Sequence, residues 1–274
     1  MSTATAAPRR LAPSVGAPRL TFAHLVRAEW IALSSLRGSI VTLIVGSALV
    51  VLASVGLTAM MLALTDAAEG MAPPALTMTL NGAAVAQIVA VLVGVSVFAK
   101  EHATGSLRTQ LAAAPRRAAT IGAKAVVVGV ASFAWSLAAL AVSFAGVVAV
   151  SAAAGAEVPF DDALTQIALP IAGAAFFVAL VGVFSLGMAV LLRSETWSVT
   201  LVLVFLLMIP TVLLTLPFEW APTVAEYLLG SAGEVFSTAH AEITGEVVRD
   251  AVVAIAWPAA ALVAGMAVLS RRDA

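Results

Sequence analysis

The sequence predicts an all-α integral membrane protein with six transmembrane helices, and composition and run length lead to that prediction. Of its 274 residues, 62% are hydrophobic and only 11% are charged, and the mean hydropathy is +1.07. A typical soluble domain is about half apolar and about a quarter charged. Because each helical crossing needs about 20 residues, the chain has room for about five to seven spans. It contains no cysteine, which excludes disulfides and thiolate metal sites.

Residues 1–20 form the first predicted region. They are rich in Pro, Ala and Ser and lack the apolar core of a secretory signal. We therefore expect a disordered cytoplasmic tail over 1–20, an amphipathic interfacial helix over 21–37 and a six-span transmembrane domain over 38–274.

The stretch TFAHLVRAEWIALSSLRGS predicts the amphipathic helix. Its apolar residues share one side at helical spacing: Phe22, Leu25, Val26, Trp30, Leu33 and Leu36. Arg27 lies on the opposite side and Trp30 suits the headgroup region, so the helix is expected along the cytoplasmic leaflet. Glu29 falls within the apolar stripe, where an unpaired carboxylate is costly. We expect a basic partner for it, either Arg37 or an arginine of the charged segment described below.

Six apolar runs follow, and each must be helical because lipid offers backbone groups no hydrogen-bond partner. They cover Ser39 to Leu64, Ala83 to Ala99, Ala125 to Ala152, Gln166 to Leu192, Trp197 to Leu216 and Ala251 to Leu269. The second run is the shortest, so its helix is expected to include Asn81 and Gly82 or to continue past Ala99.

The placement of Lys and Arg predicts the orientation. If both termini and the loops at 99–124 and 193–196 lie on one side, that side carries all of the 14 Lys and Arg residues except Arg249. The opposite loops carry most of the acidic residues. Since basic residues concentrate in cytoplasmic loops, we expect a multi-pass protein of the cell membrane with both termini in the cytoplasm.

The interiors of the six runs contain no Asp, Glu, Lys, Arg or His. A charge at the bilayer centre costs about 2.5–3.5 kcal/mol on insertion scales, so ion-driven carriers keep one for function and its absence disfavours that class. We expect the polar groups within the runs to form hydrogen bonds between helices: Gln87, Ser136, Ser143, Ser185, Thr200, Thr211 and Thr215.

The sequence shows no arrangement of residues typical of an enzyme active site. The three histidines, His24, His102 and His240, are dispersed and lack metal-ligand spacing. The chain also lacks a nucleophile elbow and a phosphate-binding glycine loop. We expect no catalytic residue, no metal site and no nucleic-acid partner, and any ATP that powers the protein must be bound by another chain.

The segment AKEHATGSLRTQLAAAPRRAATIGAK, residues 99–124, is a basic interruption between the second and third runs and is called the charged segment. Glu101, Gly105 and Arg108 share one helical face, and Leu107 and Leu111 form an apolar pair at i, i+4. The spacing predicts a short helix.

Pro115 ends that helix, and Arg116, Arg117 and Lys124 follow it. These cations suit anionic lipid headgroups or an acidic protein surface. A solvated cytoplasmic loop is the alternative to a docking helix.

Three stretches resemble permease subunits of ABC transporters of the type 2 exporter family, in particular an actinobacterial-like branch. They are FAHLVRAEWIALSSLRGS, FAKEHATGSLRTQLAAAPRRAATIGAK and EYLLGSAGEVF. The second is the most specific, and its pattern consists of Glu101, Gly105, Ser106, Arg108, Leu111, Pro115, Arg117 and Lys124. Six spans with cytoplasmic termini match the family over nearly the whole chain.

The resemblance implies a permease domain that forms the translocation path of an ATP-driven exporter. Two permease copies, identical or similar, would dock on two cytosolic ATPase subunits that bind ATP and Mg. Residues 101–115 would be the coupling helix, flanked by the N-terminal helix with Arg27, Glu29 and Trp30. The expected ATPase-coupling residues are Glu101, Gly105, Leu107, Arg108, Leu111, Arg116 and Arg117.

The outer loop from Phe218 to Asp250 contains APTVAEYLLGSAGEVF, which is too apolar for a solvated loop. The resemblance implies short re-entrant helices that cap the exit, and backbone at that depth is tolerated when protein surrounds it. An ordinary surface helix is the alternative.

Two other function classes stay open. One is an ion-gradient-driven secondary transporter or channel, and the other is a membrane enzyme or structural accessory protein. The substrate and the residues that bind it are not predicted, although spans without charges favour an amphipathic or lipid-like cargo over a strongly ionic one.

Overall fold

A computed structural model of the chain describes residues 21–35, 37–64, 74–104, 117–156, 158, 160, 162–240 and 242–272, with only the backbone described at 100–104, 117 and 270–272. Within these residues the regular structure is helical throughout. The N-terminal helix covers Phe22–Ser35. Six further helices are long and apolar enough to cross a membrane, and they are numbered here as spans: Arg37–Leu64, Ala75–Ala99, Ala118–Ala153, Leu164–Leu192, Glu195–Thr215 and Gly245–Leu269.

The prediction of six spans is confirmed, but several predicted boundaries are wrong. The helix of the second span covers Ala75–Thr104, so it starts at Ala75 instead of Ala83, while the expectation that it includes Asn81 and Gly82 or continues past Ala99 is confirmed. The helix of the third span covers Arg117–Ala153 and starts well before the predicted Ala125. Hydropathy marks only the apolar part of a helix, whereas backbone hydrogen bonding continues through polar ends. As a result Lys124, expected in a loop, lies within the third span.

Hydrogen bonds between spans define how they run. Ser54 Oγ of the first span donates to the carbonyl of Thr79 in the second, 3.1 Å away, as antiparallel neighbours allow. Trp135 Nε1 of the third span donates to the carbonyl of Leu43 at 3.0 Å and to Ser47 Oγ at 2.9 Å in the first. Further along both spans, a Cβ on Gly146 of the third would lie 2.7 Å from Val55 of the first, so these two spans run in the same direction and start at the same end as the N-terminal helix.

The fourth span is the centre of the bundle. Phe177, Val181 and Leu186 belong to its buried core, which the second, third, fifth and sixth spans complete. Small residues allow the closest approaches: a Cβ on Gly94 would overlap the carbonyl of Gly182, and one on Gly187 would lie 2.8 Å from Ala261. Small residues are typical of packed helix interfaces in membranes.

The first span presents long apolar side chains outward instead. They include Val41, Ile44, Leu52 and Leu64, each more than half exposed. An apolar face of this length suits contact with lipid and is out of place in water. The bundle is therefore built around the fourth span, with the first span at its periphery.

Two spans contain a π-helical turn directly before a proline. The turns cover Leu164–Ala168 and Val204–Met208, and Pro170 and Pro210 follow them. A proline has no N–H to donate and its ring clashes with the carbonyl four residues earlier. Both turns are centred on that residue, so the wider π-turn accommodates the proline within a continuous span.

The prediction that hydroxyl groups of the spans bond between helices is confirmed for Ser136 and wrong for three other residues. Ser136 Oγ donates to Ser132 O of its own helix at 2.7 Å and approaches Ala175 O of the fourth span at 3.4 Å. The predicted bonds between helices are wrong for Ser185, Thr211 and Thr215, which donate to carbonyls of their own helices. A serine or threonine in a helix can bond the carbonyl one turn earlier and then needs no partner on a neighbour.

Candidate functional site

The described parts of the charged segment, residues 99–104 and 117–124, lie at the end of the bundle that also carries the N-terminal helix. Glu101 falls in the last turn of the second-span helix, Ala75–Thr104, and Arg117 is the first residue of the third-span helix. Only the backbone of these two residues is described. The other predicted coupling residues, Gly105, Leu107, Arg108, Leu111 and Arg116, lie outside the described residues together with Pro115. The two helices that flank the segment are therefore placed, while its contacts stay predictions.

Glu29 has the basic partner that the sequence predicts, but a different one from those named. Lys124 Nζ lies 2.7 Å from Glu29 Oε2. The side chain of Lys124 is 0% exposed and that of Glu29 is 11% exposed. Lys124 reaches the N-terminal helix because the third-span helix starts at Arg117 and carries Lys124 on its surface. The expected contact with an arginine of the charged segment stays a prediction, since the side chains of Arg108, Arg116 and Arg117 lie outside the described residues.

Apolar packing surrounds this ion pair. Leu33 of the N-terminal helix, Val93 of the second span and Val127 of the third span share one buried cluster, and Val26 packs against it. Val26, Glu29 and Leu33 recur at helical spacing, so one face of the helix is turned toward the spans. The pair is thus removed from water. In such an apolar environment, loss of one member of the pair would be strongly unfavourable for the other.

The other two candidates on the N-terminal helix point away from the bundle. Arg27 is exposed, and Trp30 is 46% exposed. This matches a helix with one side on the protein and an aromatic ring available to headgroups. Its location at the membrane surface stays a prediction. The predicted apolar stripe included Trp30. The face that meets the spans is instead the one that carries Glu29, which contacts Lys124, and Trp30 lies outside that face.

At the opposite end of the bundle, the outer loop folds into a compact unit, called here the cap. It consists of two short helices, Trp220–Glu226 and Leu229–Gly233, and the 3₁₀ turn Glu234–Ser237. Leu229 is completely buried. A Cβ on Gly173 of the fourth span would overlap the carbonyl of Phe236, so the cap is in direct contact with that span.

The sixth span holds the end of the first cap helix. Arg249 Nη2 lies 3.4 Å from Glu226 Oε2, and its Nε donates to Asp250 Oδ1 at 2.8 Å. The guanidinium also lies 5.3 Å from the centroid of the Tyr227 ring. Trp257 Nε1 donates to the backbone carbonyl of Tyr227 at 2.9 Å. Sequence reasoning missed this contact, although Arg249 stood out as the one basic residue away from the predicted cytoplasmic side.

One carboxyl group of the cap has a shifted acidity. Burial raises the pKa of Glu234, the first residue of the 3₁₀ turn, because desolvation disfavours its charged form. His240 follows shortly afterwards, with Nε2 3.0 Å from Thr238 Oγ1 and 2.8 Å from the carbonyl of Val235. These contacts fold the chain back onto the turn. The predicted dispersal of the histidines is confirmed for His24 and His240, which lie at opposite ends of the bundle.

Comparison with known proteins does not assign the chain to a family. No protein-family model matches the sequence, and no curated protein matches it. Within the described residues, no group of three or more His, Asp or Glu side chains is placed to hold a metal ion. Function must therefore be argued from the six spans, the charged segment with its buried ion pair, and the cap.

Proposed function

We propose that this chain is the membrane-spanning permease subunit of an ATP-driven ABC exporter. It forms the translocation path with a second copy or a similar partner, and a separate cytosolic ATPase binds ATP and Mg. The chain itself carries no catalytic residue. Six apolar spans without an ATP-binding loop support a transport subunit that receives energy from another chain.

One observation carries this proposal. The charged segment connects two long helices at the end of the bundle, and the second of these helices is tied to the N-terminal helix by Lys124 and Glu29. A loop that only connects two spans does not require an ion pair between the helix that follows it and the N-terminal helix. The short helix that the sequence predicts there, with Leu107 and Leu111 as apolar anchors and Arg108 as a charged contact, would be a suitable docking element for a partner protein.

Affinity purification of the tagged chain from its native membrane tests the proposal. An ATPase subunit should co-purify with the wild-type chain, and Arg108→Glu should remove it or uncouple its ATP hydrolysis from transport. Loss of a central interface contact costs about 2 kcal/mol, which is roughly a thirtyfold loss of affinity. The matched control is Arg19→Glu, the same charge change in the predicted tail. A chain that purifies without an ATPase and transports alone contradicts the proposal.

The orientation is part of the same proposal. The N-terminal helix and the charged segment face the cytoplasm of a cell whose plasma membrane holds the six spans, as the excess of Lys and Arg at that end favours. A phosphatase that is active only outside the cell, fused after Ala274, should be inactive. Activity of that fusion would place the C-terminus outside and reverse the assignment.

We further propose that the cap is re-entrant and closes the outer end of the translocation path. Its burial against the fourth and fifth spans supports this, because irregular backbone at membrane depth must be covered by protein. A cysteine introduced at Ala232, which is buried, should resist a membrane-impermeant maleimide, while one at the exposed Glu242 should react. Equal labelling of the two sites would indicate a solvated loop.

The buried Lys124 keeps the secondary transporter or channel as a second candidate. An ionisable residue within a span is a functional-site hypothesis by default. Lys124, however, lies close to the start of its helix and contacts the N-terminal helix, away from the centre of the bundle. Ion-driven uptake by liposomes that contain only this chain would favour the second candidate over the exporter.

A further inference from the structure

The ion pair between the N-terminal helix and the third span involves Lys124, the last residue of the charged segment. Lys124 follows Arg117, the first residue of its helix, by two turns, which is about 10 Å along the axis. Residues 105–116 lead directly into that helix. Glu29 lies in the middle of the N-terminal helix. The pair therefore joins the start of the third-span helix, where the charged segment ends, to the N-terminal helix.

The surroundings make this joint stiff. Lys124 is completely buried, and Leu33 and Val127 pack beside the pair in one apolar cluster. Separating the two charges would break a 2.7 Å ion pair in an apolar environment, which is strongly unfavourable. A displacement of the start of the third span is therefore expected to carry the N-terminal helix with it.

The chain passes this motion on to the first span. The N-terminal helix ends at Ser35 and the first-span helix begins at Arg37, so there is almost no linker between them. Trp135 of the third span also donates a bifurcated hydrogen bond to the first span. The first and third spans are thus connected both directly and through the N-terminal helix.

We propose that Glu29 and Lys124 are positioning residues that make the N-terminal helix, the third span and the first span respond as one unit when the charged segment is displaced. The inference rests on the proposed function, because the partner ATPase supplies that displacement. Neither residue needs to contact the ATPase. Their role is to convert a local displacement of the charged segment into movement of the peripheral first span.

Distance measurements on the complete complex test this inference. The chain has no native cysteine, so spin labels can be attached at chosen sites. One label pair, at Ala23 and Val130, measures the N-terminal helix against the third span, and a second, at Ala23 and Trp197, measures it against the fifth span. All three residues are exposed. With the co-purified ATPase present, ATP with vanadate should shift the second distance by about 1–5 Å, the range of helix shifts in switching proteins, and leave the first unchanged.

Variants of the pair show whether the ion pair is responsible. In Glu29→Gln, the distance between labels at 23 and 130 should become broader and should change with nucleotide. The exchanged pair Glu29→Lys with Lys124→Glu should restore the wild-type behaviour. Arg27→Gln is the matched control, because Arg27 is exposed on the same helix. A pair that only stabilises the fold would affect the protein equally with and without nucleotide.

The outcomes separate this inference from the proposed function. A nucleotide-dependent distance between labels at 23 and 130 in the wild-type protein overturns the inference, as does a Glu29→Gln variant that behaves like wild type. Absence of an associated ATPase overturns the proposed function and the inference with it. If Glu29→Gln fails to assemble, the wild-type distances and the exchanged pair still decide the question.

Discussion

Replacing Lys124 by methionine isolates the charge of the buried ion pair. Methionine has a similar length and volume, so the apolar packing of the lysine stem is kept and no large cavity forms. The carboxylate of Glu29, 11% exposed, then loses a partner that lay 2.7 Å away. Breaking a buried pair by removing one member costs about 3–5 kcal/mol. We expect the ratio of folded to unfolded protein to fall more than about a hundredfold.

The double variant Glu29→Leu with Lys124→Met removes both charges and keeps an apolar contact. Replacement of a whole buried pair by packed apolar residues is often neutral or stabilising, so this variant should lie within about 1 kcal/mol of wild type or above it. Arg27→Met is the control, since it removes an exposed charge from the same helix and should change stability by less than about 0.5 kcal/mol.

Equilibrium unfolding in mixed micelles, with increasing fractions of sodium dodecyl sulfate, measures all four proteins. The reasoning is refuted if Lys124→Met loses less than about 1 kcal/mol, because Glu29 would then find other compensation. It is also refuted if the double variant is as unstable as the single one, because the loss would then come from packing and not from an unpaired charge.

Three further predictions concern the cap and the first span. Gly173→Ala places a Cβ on the carbonyl of Phe236, so the cap should separate from the fourth span and limited proteolysis should cut it faster; an unchanged cutting rate contradicts the contact. Trp135→Phe removes the bifurcated hydrogen bond from Nε1 to Leu43 O and Ser47 Oγ and should cost about 1–3 kcal/mol in the same unfolding assay. The raised pKa of Glu234 means that the folded cap holds its proton more tightly than the unfolded chain, so stability is lost as pH rises past the ordinary pKa of glutamate. Proteolysis of the cap should therefore accelerate over that interval, and Glu234→Gln should abolish this dependence.

The number of spans was predictable because membrane insertion depends on the length and composition of each segment of the chain. Six runs of apolar residues are sufficient to identify six spans, since lipid admits only backbone that is bonded within its own segment. The ends of the helices were less predictable. Ala75 and Arg117 begin helices in which polar residues continue the backbone hydrogen bonds beyond the apolar run, and hydropathy has no signal for that continuation.

The contacts of the candidate site were only partly predictable. The position of Glu29 within an apolar stripe correctly required a basic partner, because the cost of burying a charge depends only on its immediate surroundings. Choosing Lys124 needed the start of the third-span helix and the side on which the N-terminal helix lies. The cap contact of Arg249 with Glu226 and Tyr227 likewise depends on how the outer loop folds back on the sixth span.

Local sequence alone determined that this protein has six apolar spans and a basic segment between the second and third. It also placed one carboxylate, that of Glu29, within an apolar stripe ahead of the first span. Tertiary structure decided which helices those charges join, how deeply the fourth span is buried and where the cap lies. The physical reason is range: transfer into lipid and helix formation depend on neighbours along the chain, whereas pairing of charges and close approach of glycines depend on helices that meet only after packing.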